Sequence, residues 1–155
     1  MEQIRPATAE DTWRIAEIFV TDYRLNFYPH FLNDAFYFDE LNVRDTAAEF
    51  ANAEALRQTF VYDDGVIKGF IRLNGALLDK LFVEPAFQSK GIGAKLLQFA
   101  VENGADHLWA LKYTTRGIAF YQRHGFLLTG EEIIEDEWVP LVKMALQPAS
   151  DDRKL

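Results

Sequence analysis

The chain is 155 residues long, carries a formal net charge of −8 and contains no cysteine. That length suits one compact domain, and the missing cysteines exclude disulfide frameworks, thiol catalysis and cysteine-ligated zinc. Its 49% apolar content, including 13 Phe, 6 Tyr and 3 Trp, supplies core bulk, while the acidic balance repels a phosphate backbone and argues against nucleic acid as a partner.

The opening "MEQIRPATAED" lacks the basic-then-apolar pattern of a secretory signal, and no apolar run reaches the ~20 residues a membrane helix needs. A cytoplasmic protein without a membrane partner is the expectation. "QIRPA" reads as a short strand ended by Pro6, and "TAED" as a helix start, with Thr8 capping the first amides and Asp11 three residues on as a capping-box variant. Ile15, Ala16, Phe19, Val20 and Tyr23 then recur at helical spacing.

Residues 26 to 42, "NFYPHFLNDAFYFDELN", hold six aromatics around Pro29 and His30. Residues 44 to 56 read as a second helix. A hairpin follows, with strands 58–62 and 66–73 turned at Asp64-Gly65, then a turn at Asn74-Gly75 into a third strand that Pro85 stops.

"QSKGIGAKLL", residues 88 to 97, places two glycines and a lysine ahead of a helical face formed by Ile92, Leu96, Leu97, Ala100 and Val101, which Asn103-Gly104 ends. "DHLWALK" is a strand-length apolar run, "TTRGIAFYQRHGF" a helix opened by threonine and closed by Gly125, and "FLLTGEEI" and "EWVPLVKMAL" two last strands. The expected fold is mixed α/β with a mostly antiparallel sheet. The strand–helix–strand unit from 76 to 112 calls for a right-handed crossover and a parallel strand pair. One domain is expected over 1–147, with a flexible tail at 148–155.

A helix N-terminus presents amide donors without intrahelical partners, and a glycine turn lets an anion approach them. The same turn can also be a plain strand-to-helix connection. A dinucleotide fingerprint is excluded because the sixth position from Gly91 is Leu96 and no acid follows ~20 residues on, which also weakens a nucleotide-binding oxidoreductase. A P-loop is excluded because Lys95 is followed by leucine. A backbone cradle for a pyrophosphate, with Lys90 beside it, is what remains.

"LFVEPAFQSKGIGAKLL" resembles the signature of the GNAT superfamily of acyl-CoA-dependent N-acyltransferases, with Gln88, Gly91 and Gly93 filling Q/R-x-x-G-x-G/A. "AFYQRHGF", about thirty residues later, resembles that family's second motif, and the likeness covers residues 3 to 146. The resemblance implies acetyl-CoA as co-substrate and no metal. Leu81, Phe82 and Val83 would offer backbone to the pantetheine arm, and Gln88, Ser89, Lys90, Gly91, Ile92, Gly93 and Ala94 would wrap the pyrophosphate. The strands at 78–83 and 107–112 would splay to admit the thioester.

Tyr121 matches the family tyrosine that protonates the departing thiolate, a role open to a phenol of pKa ~10. Thr114 stands where the family often has asparagine, and Gly117 where it has a small residue; both are candidate cofactor contacts. Asp79, on the strand face of Leu81 and Val83, is a candidate base for the incoming amine, with His30 as the alternative. Tyr28, His30 and Phe31 are candidate acceptor contacts. The implied activity is acetyl transfer to a primary amine of a small molecule or peptide. A non-catalytic acyl-CoA-binding module is the alternative, and homodimers are common in lookalikes.

Overall fold

The computed structural model describes residues 3–148 of the chain. Two compact units divide it, Met1–Ala105 and Asp106–Leu155. Residues 149–155 of the expected tail lie outside the described residues. Both units combine helix with antiparallel sheet, so the mixed α/β reading holds.

In the first unit, β1 (Ile4–Pro6), β2 (Thr59–Asp63), β3 (Ile67–Asn74) and β4 (Leu77–Val83) pair in sequence order, each antiparallel to the last. Both connecting turns fall where the Asp-Gly and Asn-Gly dipeptides predict, with Gly65 at φ 122° and Gly75 at φ 59°. The β3–β4 register sets Gly69 against Val83 and Ile71 against Leu81. Side-chain alternation then puts Leu81 and Val83 on one face of β4 and Phe82 on the other.

Helix α1 (Thr12–Asn26) buries Ile15 and Ile18 against Phe50, Val61 and Phe70. Its approach carries the capping box expected of Thr8 and Asp11: the Thr8 amide donates to the Asp11 carboxylate at 2.8 Å, and the Thr8 hydroxyl lies 3.1 Å from the same oxygen. Arg5 holds that carboxylate in place by donating Nη1 to Oδ2 at 2.8 Å while its Nη2 reaches Asp63 at 2.9 Å.

The single helix expected over 44–56 is two, α3 (Val43–Phe50) and α4 (Ala53–Gln58). Asn52 makes the break: its side-chain oxygen accepts from the amides of Glu54 and Ala55 and so starts a new helix. Between α1 and α3, the aromatic segment forms the short helix α2 (Tyr28–Phe31) and a π-helical turn over Phe36–Glu40. Arg24 fastens this segment to α1, donating to the carbonyls of Tyr37 at 2.7 Å and Leu41 at 3.2 Å while its guanidinium lies 4.8 Å from the Phe38 ring.

Helix α5 (Ile92–Glu102) completes the first unit, burying Ile92, Leu96, Leu97 and Ala100. In the second unit, β5 (His107–Leu111) and β6 (Phe126–Glu135) both pair antiparallel with β7 (Val139–Leu146). Helix α6 (Thr115–Arg123) lies between β5 and β6 in sequence. Among the described residues no helix is long and apolar enough to cross a membrane.

Candidate active site

The link from β4 to α5 is a shaped turn. A 3-10 turn over Pro85–Phe87 follows the strand, closed by the Phe87 amide donating to the Glu84 carbonyl at 2.8 Å. The Gln88 side chain then reaches back, its Nε2 donating to the Val83 carbonyl at 3.0 Å. Gln88 therefore braces the turn against the end of β4, and the Val83 carbonyl is engaged by it.

Ser89 has φ 64° and Gly91 has φ 88°. The left-handed region is costly for serine and natural for glycine. A Cβ added at Gly91 would meet nothing within 4 Å, so packing does not demand the glycine; its backbone angle does, and the space above it is open to a ligand. Gly91 caps α5, whose first bond is the Lys95 amide to the Gly91 carbonyl at 3.1 Å. The amides of Ile92, Gly93 and Ala94 stand in the first helical turn, where the helix itself offers no acceptor. Ile92 is 6% exposed and Val83 7%, so both side chains are core and only their backbone is available to a ligand. Lys90 is exposed beside the turn. An anionic group fits this arrangement of amides and open glycine.

Asp79 is exposed and falls at the register shift of the β3–β4 pair, between Lys80, which faces Arg72, and Leu78, which faces Leu73, so the strand alternation expected to set it beside Leu81 and Val83 is interrupted there. Its Oδ2 is 3.3 Å from Lys80 Nζ and 3.8 Å from Arg72 Nε, so it sits in an ion pair at the strand. In the aromatic segment, the Tyr28 hydroxyl donates to Asp34 at 2.6 Å, which raises the Tyr28 pKa. The exposed His30 ring lies 6.3 Å from that of Phe31, and both follow directly on the end of α1.

In the second unit, Tyr121 lies on α6 with Phe120 and Phe126 edge-on to its ring at 5.2 Å and 6.1 Å. Burial pushes its phenol up to about 12. Part of the residue's surface is accessible, so the shift reflects the depth of protein around the ring rather than complete enclosure. Thr114 caps α6 as its sequence suggests, its hydroxyl oxygen accepting from the Gly117 amide at 3.2 Å.

One residue that the motifs did not single out stands apart. Asp22 of α1 is 2% exposed, and its Oδ1 has no hydrogen-bond partner among the described residues. Burial, then the charge of Glu84, raises its pKa to about 8. The sequence carries a signal for it: Asp22 falls seven residues after Ile15 and four after Ile18, on the stripe that those residues bury. An acid at an apolar position of an amphipathic helix is the pattern to look for.

A family model described as Acetyltransferase (GNAT) domain matches residues 28–148. Among curated proteins, the peptidyl-lysine N-acetyltransferase YjaB of Salmonella typhimurium is 30% identical over 69 residues, which is 44% of this chain and 48% of that protein. The matched stretch thus spans about half the length of this relative. Among solved structures, the solution structure of apo YjaB from Escherichia coli has a TM-score of 0.77 at 20% identity, covering 94% of this chain and 97% of that one. The PaiA N-acetyltransferase of Thermoplasma acidophilum, solved in complex with coenzyme A, has a TM-score of 0.63 at 18% identity, covering 94% and 99%. At these identities the two structures establish a shared fold.

Proposed function

We propose that the chain, which belongs to the GNAT acetyltransferase family, transfers the acetyl group of acetyl-CoA to a primary amine of a small molecule or peptide. The observation that carries this reading is the turn from β4 into α5, where Ser89 and Gly91 take left-handed angles directly before a helix N-terminus. Gln88, whose amide is given to the Pro85 carbonyl, would brace the turn, and the backbone amides that follow it as far as Ala94 would hold the coenzyme's pyrophosphate, as helix N-termini hold anions generally. The backbone of Leu81, Phe82 and Val83 would run beside the pantetheine arm.

The amine lone pair attacks the thioester carbonyl, a C–N bond forms and the C–S bond breaks. Tyr121 gives its phenolic proton to the departing thiolate, and its raised pKa keeps that proton in place at neutral pH. Asp79, solvent-exposed on β4, takes the ammonium proton through water. The name of the Salmonella relative makes a peptide lysine the first acceptor to assay.

Calorimetry with acetyl-CoA, followed by thiol release across an amine panel, tests the proposal. Uptake of the coenzyme with amine-dependent thiol release is expected. No uptake would overturn the reading, and uptake without release for any amine would leave a binding module in its place.

A further inference from the structure

We infer that Asp22 is the anionic anchor for the ammonium group of the acceptor, and that it makes primary alkylammonium ions the substrate class. The inference rests on the acetyltransferase reading above and adds a residue and a specificity to it.

A carboxylate removed from water needs a counter-ion or hydrogen-bond donors. Asp22 is 2% exposed and its Oδ1 has neither. The cations on α1 and on the elements packed against it are engaged elsewhere. Arg14 holds Glu17 and Glu84, and Arg24 donates to the Tyr37 and Leu41 carbonyls. On α3, Arg44 pairs with Asp45; on β3, Lys68 pairs with Asp64 and Arg72 donates to Gln58; on β4, Lys80 pairs with Asp79. Among the described residues Asp22 has no counter-ion, and the charge it feels, from Glu84, is of its own sign.

The flank beside Asp22 is built for a cation. Phe19, Tyr23 and Phe27 follow one another at four-residue intervals along α1, and their rings stack at 4.4 Å and 4.2 Å. Phe82 of β4 packs on Phe19 at 5.3 Å and on Tyr23 at 5.8 Å. Tyr23 is the next residue after Asp22, and Phe19 precedes it by three, so carboxylate and rings share adjoining sides of one helix. The ladder already accepts one ammonium, because Lys80 Nζ lies 5.4 Å from the Phe19 ring centre. A buried carboxylate beside half-buried π faces recognises an alkylammonium: the charge meets the acid and the alkyl chain meets the rings.

Two probes separate the sources of such a group: spermidine as a free polyamine and Nα-acetyl-lysinamide as a peptide side chain. Carboxyl-carbon NMR of the full chain, with the Asp22 signal assigned by its loss in D22N, follows the residue directly. Addition of at least one probe should ionise Asp22 and shift its signal at neutral pH. In thiol-release kinetics, D22N should raise KM for that probe by about 30-fold or more with kcat changed far less, the result of deleting a buried charge partner. Calorimetry should show that D22N still takes up coenzyme A, which separates loss of amine binding from loss of fold. An Asp22 signal unmoved by both probes, or an unchanged KM in D22N, overturns the inference while leaving the acetyltransferase reading intact. Should D22N fail to fold, the Asp22 signal is assigned instead through its own backbone correlations, and the wild-type NMR titration decides.

Discussion

The hydroxyl of Thr114 occupies the space that a side chain on Gly117 would need. A Cβ at Gly117 would stand 2.8 Å from Thr114 Oγ1, the atom that accepts the Gly117 amide. Glycine inside a helix is unfavourable by about 1 kcal/mol relative to alanine, and a threonine cap contributes a similar amount. Gly117→Ala should therefore lose the cap and gain propensity, leaving stability unchanged or lowered by up to about 1 kcal/mol. In a Thr114→Ala background the same change meets no hydroxyl and should stabilise. Urea melts of the four proteins in this cycle check the change of sign.

The Arg5, Asp11 and Asp63 cluster predicts a sensitivity to acid. Burial works to raise the Asp11 pKa, but hydrogen bonds from Arg5 and Thr8 outweigh it and hold the group below the usual carboxylate range. Asp63 is lowered first by the Gly65 amide and then by Arg5. A depressed folded-state pKa contributes stability that is present above the unfolded value and lost as pH falls through the folded one. Asp11→Asn should cost about 2 kcal/mol at pH 7 and flatten the fall in stability below about pH 4. Melts at a series of pH values measure both.

At Gly91 two substitutions separate backbone from ligand. Alanine meets nothing within 4 Å but must adopt φ 88°, so Gly91→Ala should lower stability by about 1 kcal/mol. Gly91→Glu places bulk and negative charge over the amides of Ile92 to Ala94 and should abolish coenzyme A uptake. Calorimetry on both variants, beside their melting curves, tells strain from blocked binding.

For Tyr121, removal of the phenol should lower kcat about 100-fold in Tyr121→Phe with little change in KM, the size expected for loss of a general acid. The titration has its own consequence for stability. The folded pKa of about 12 exceeds the ordinary value of 10.0, so this contribution to stability is complete below pH 10 and lost as pH rises toward 12. Tyr121→Phe should remove that alkaline loss.

Asp79 offers a test of the proton path. Exposed and paired with Lys80 and Arg72, it should contribute less than about 0.5 kcal/mol to stability. Asp79→Ala should flatten the acid limb of the pH–rate profile, and an unaltered limb would remove Asp79 from the path.

The elements legible in the sequence are those whose determinants are local. The apolar spacing of Ile15 and Ile18 marks α1, the Asp64-Gly65 and Asn74-Gly75 pairs mark the turns, and Gln88, Gly91 and Gly93 mark the link to α5. What stayed hidden depends on partners distant in sequence. The turn at Phe36–Glu40 is tied down by Arg24 of another helix, and the Asp11 carboxylate is held by Arg5, which also reaches Asp63 from far along the chain. Asn52 was readable as a helix breaker only by weighing its capping strength against the run of good helix formers around it. The spacing from Ile15 and Ile18 puts Asp22 on the buried stripe, but its want of a counter-ion among the described residues depends on where distant cations pair, which no spacing records.

The brace from Gln88 to the carbonyl of Val83 has a kinetic corollary. A loop already stapled to its strand loses little conformational freedom when a guest arrives. Association should then follow a single fast phase whose rate rises linearly with coenzyme concentration. Cutting the staple with Gln88→Ala should add an ordering step, visible as saturation of that rate.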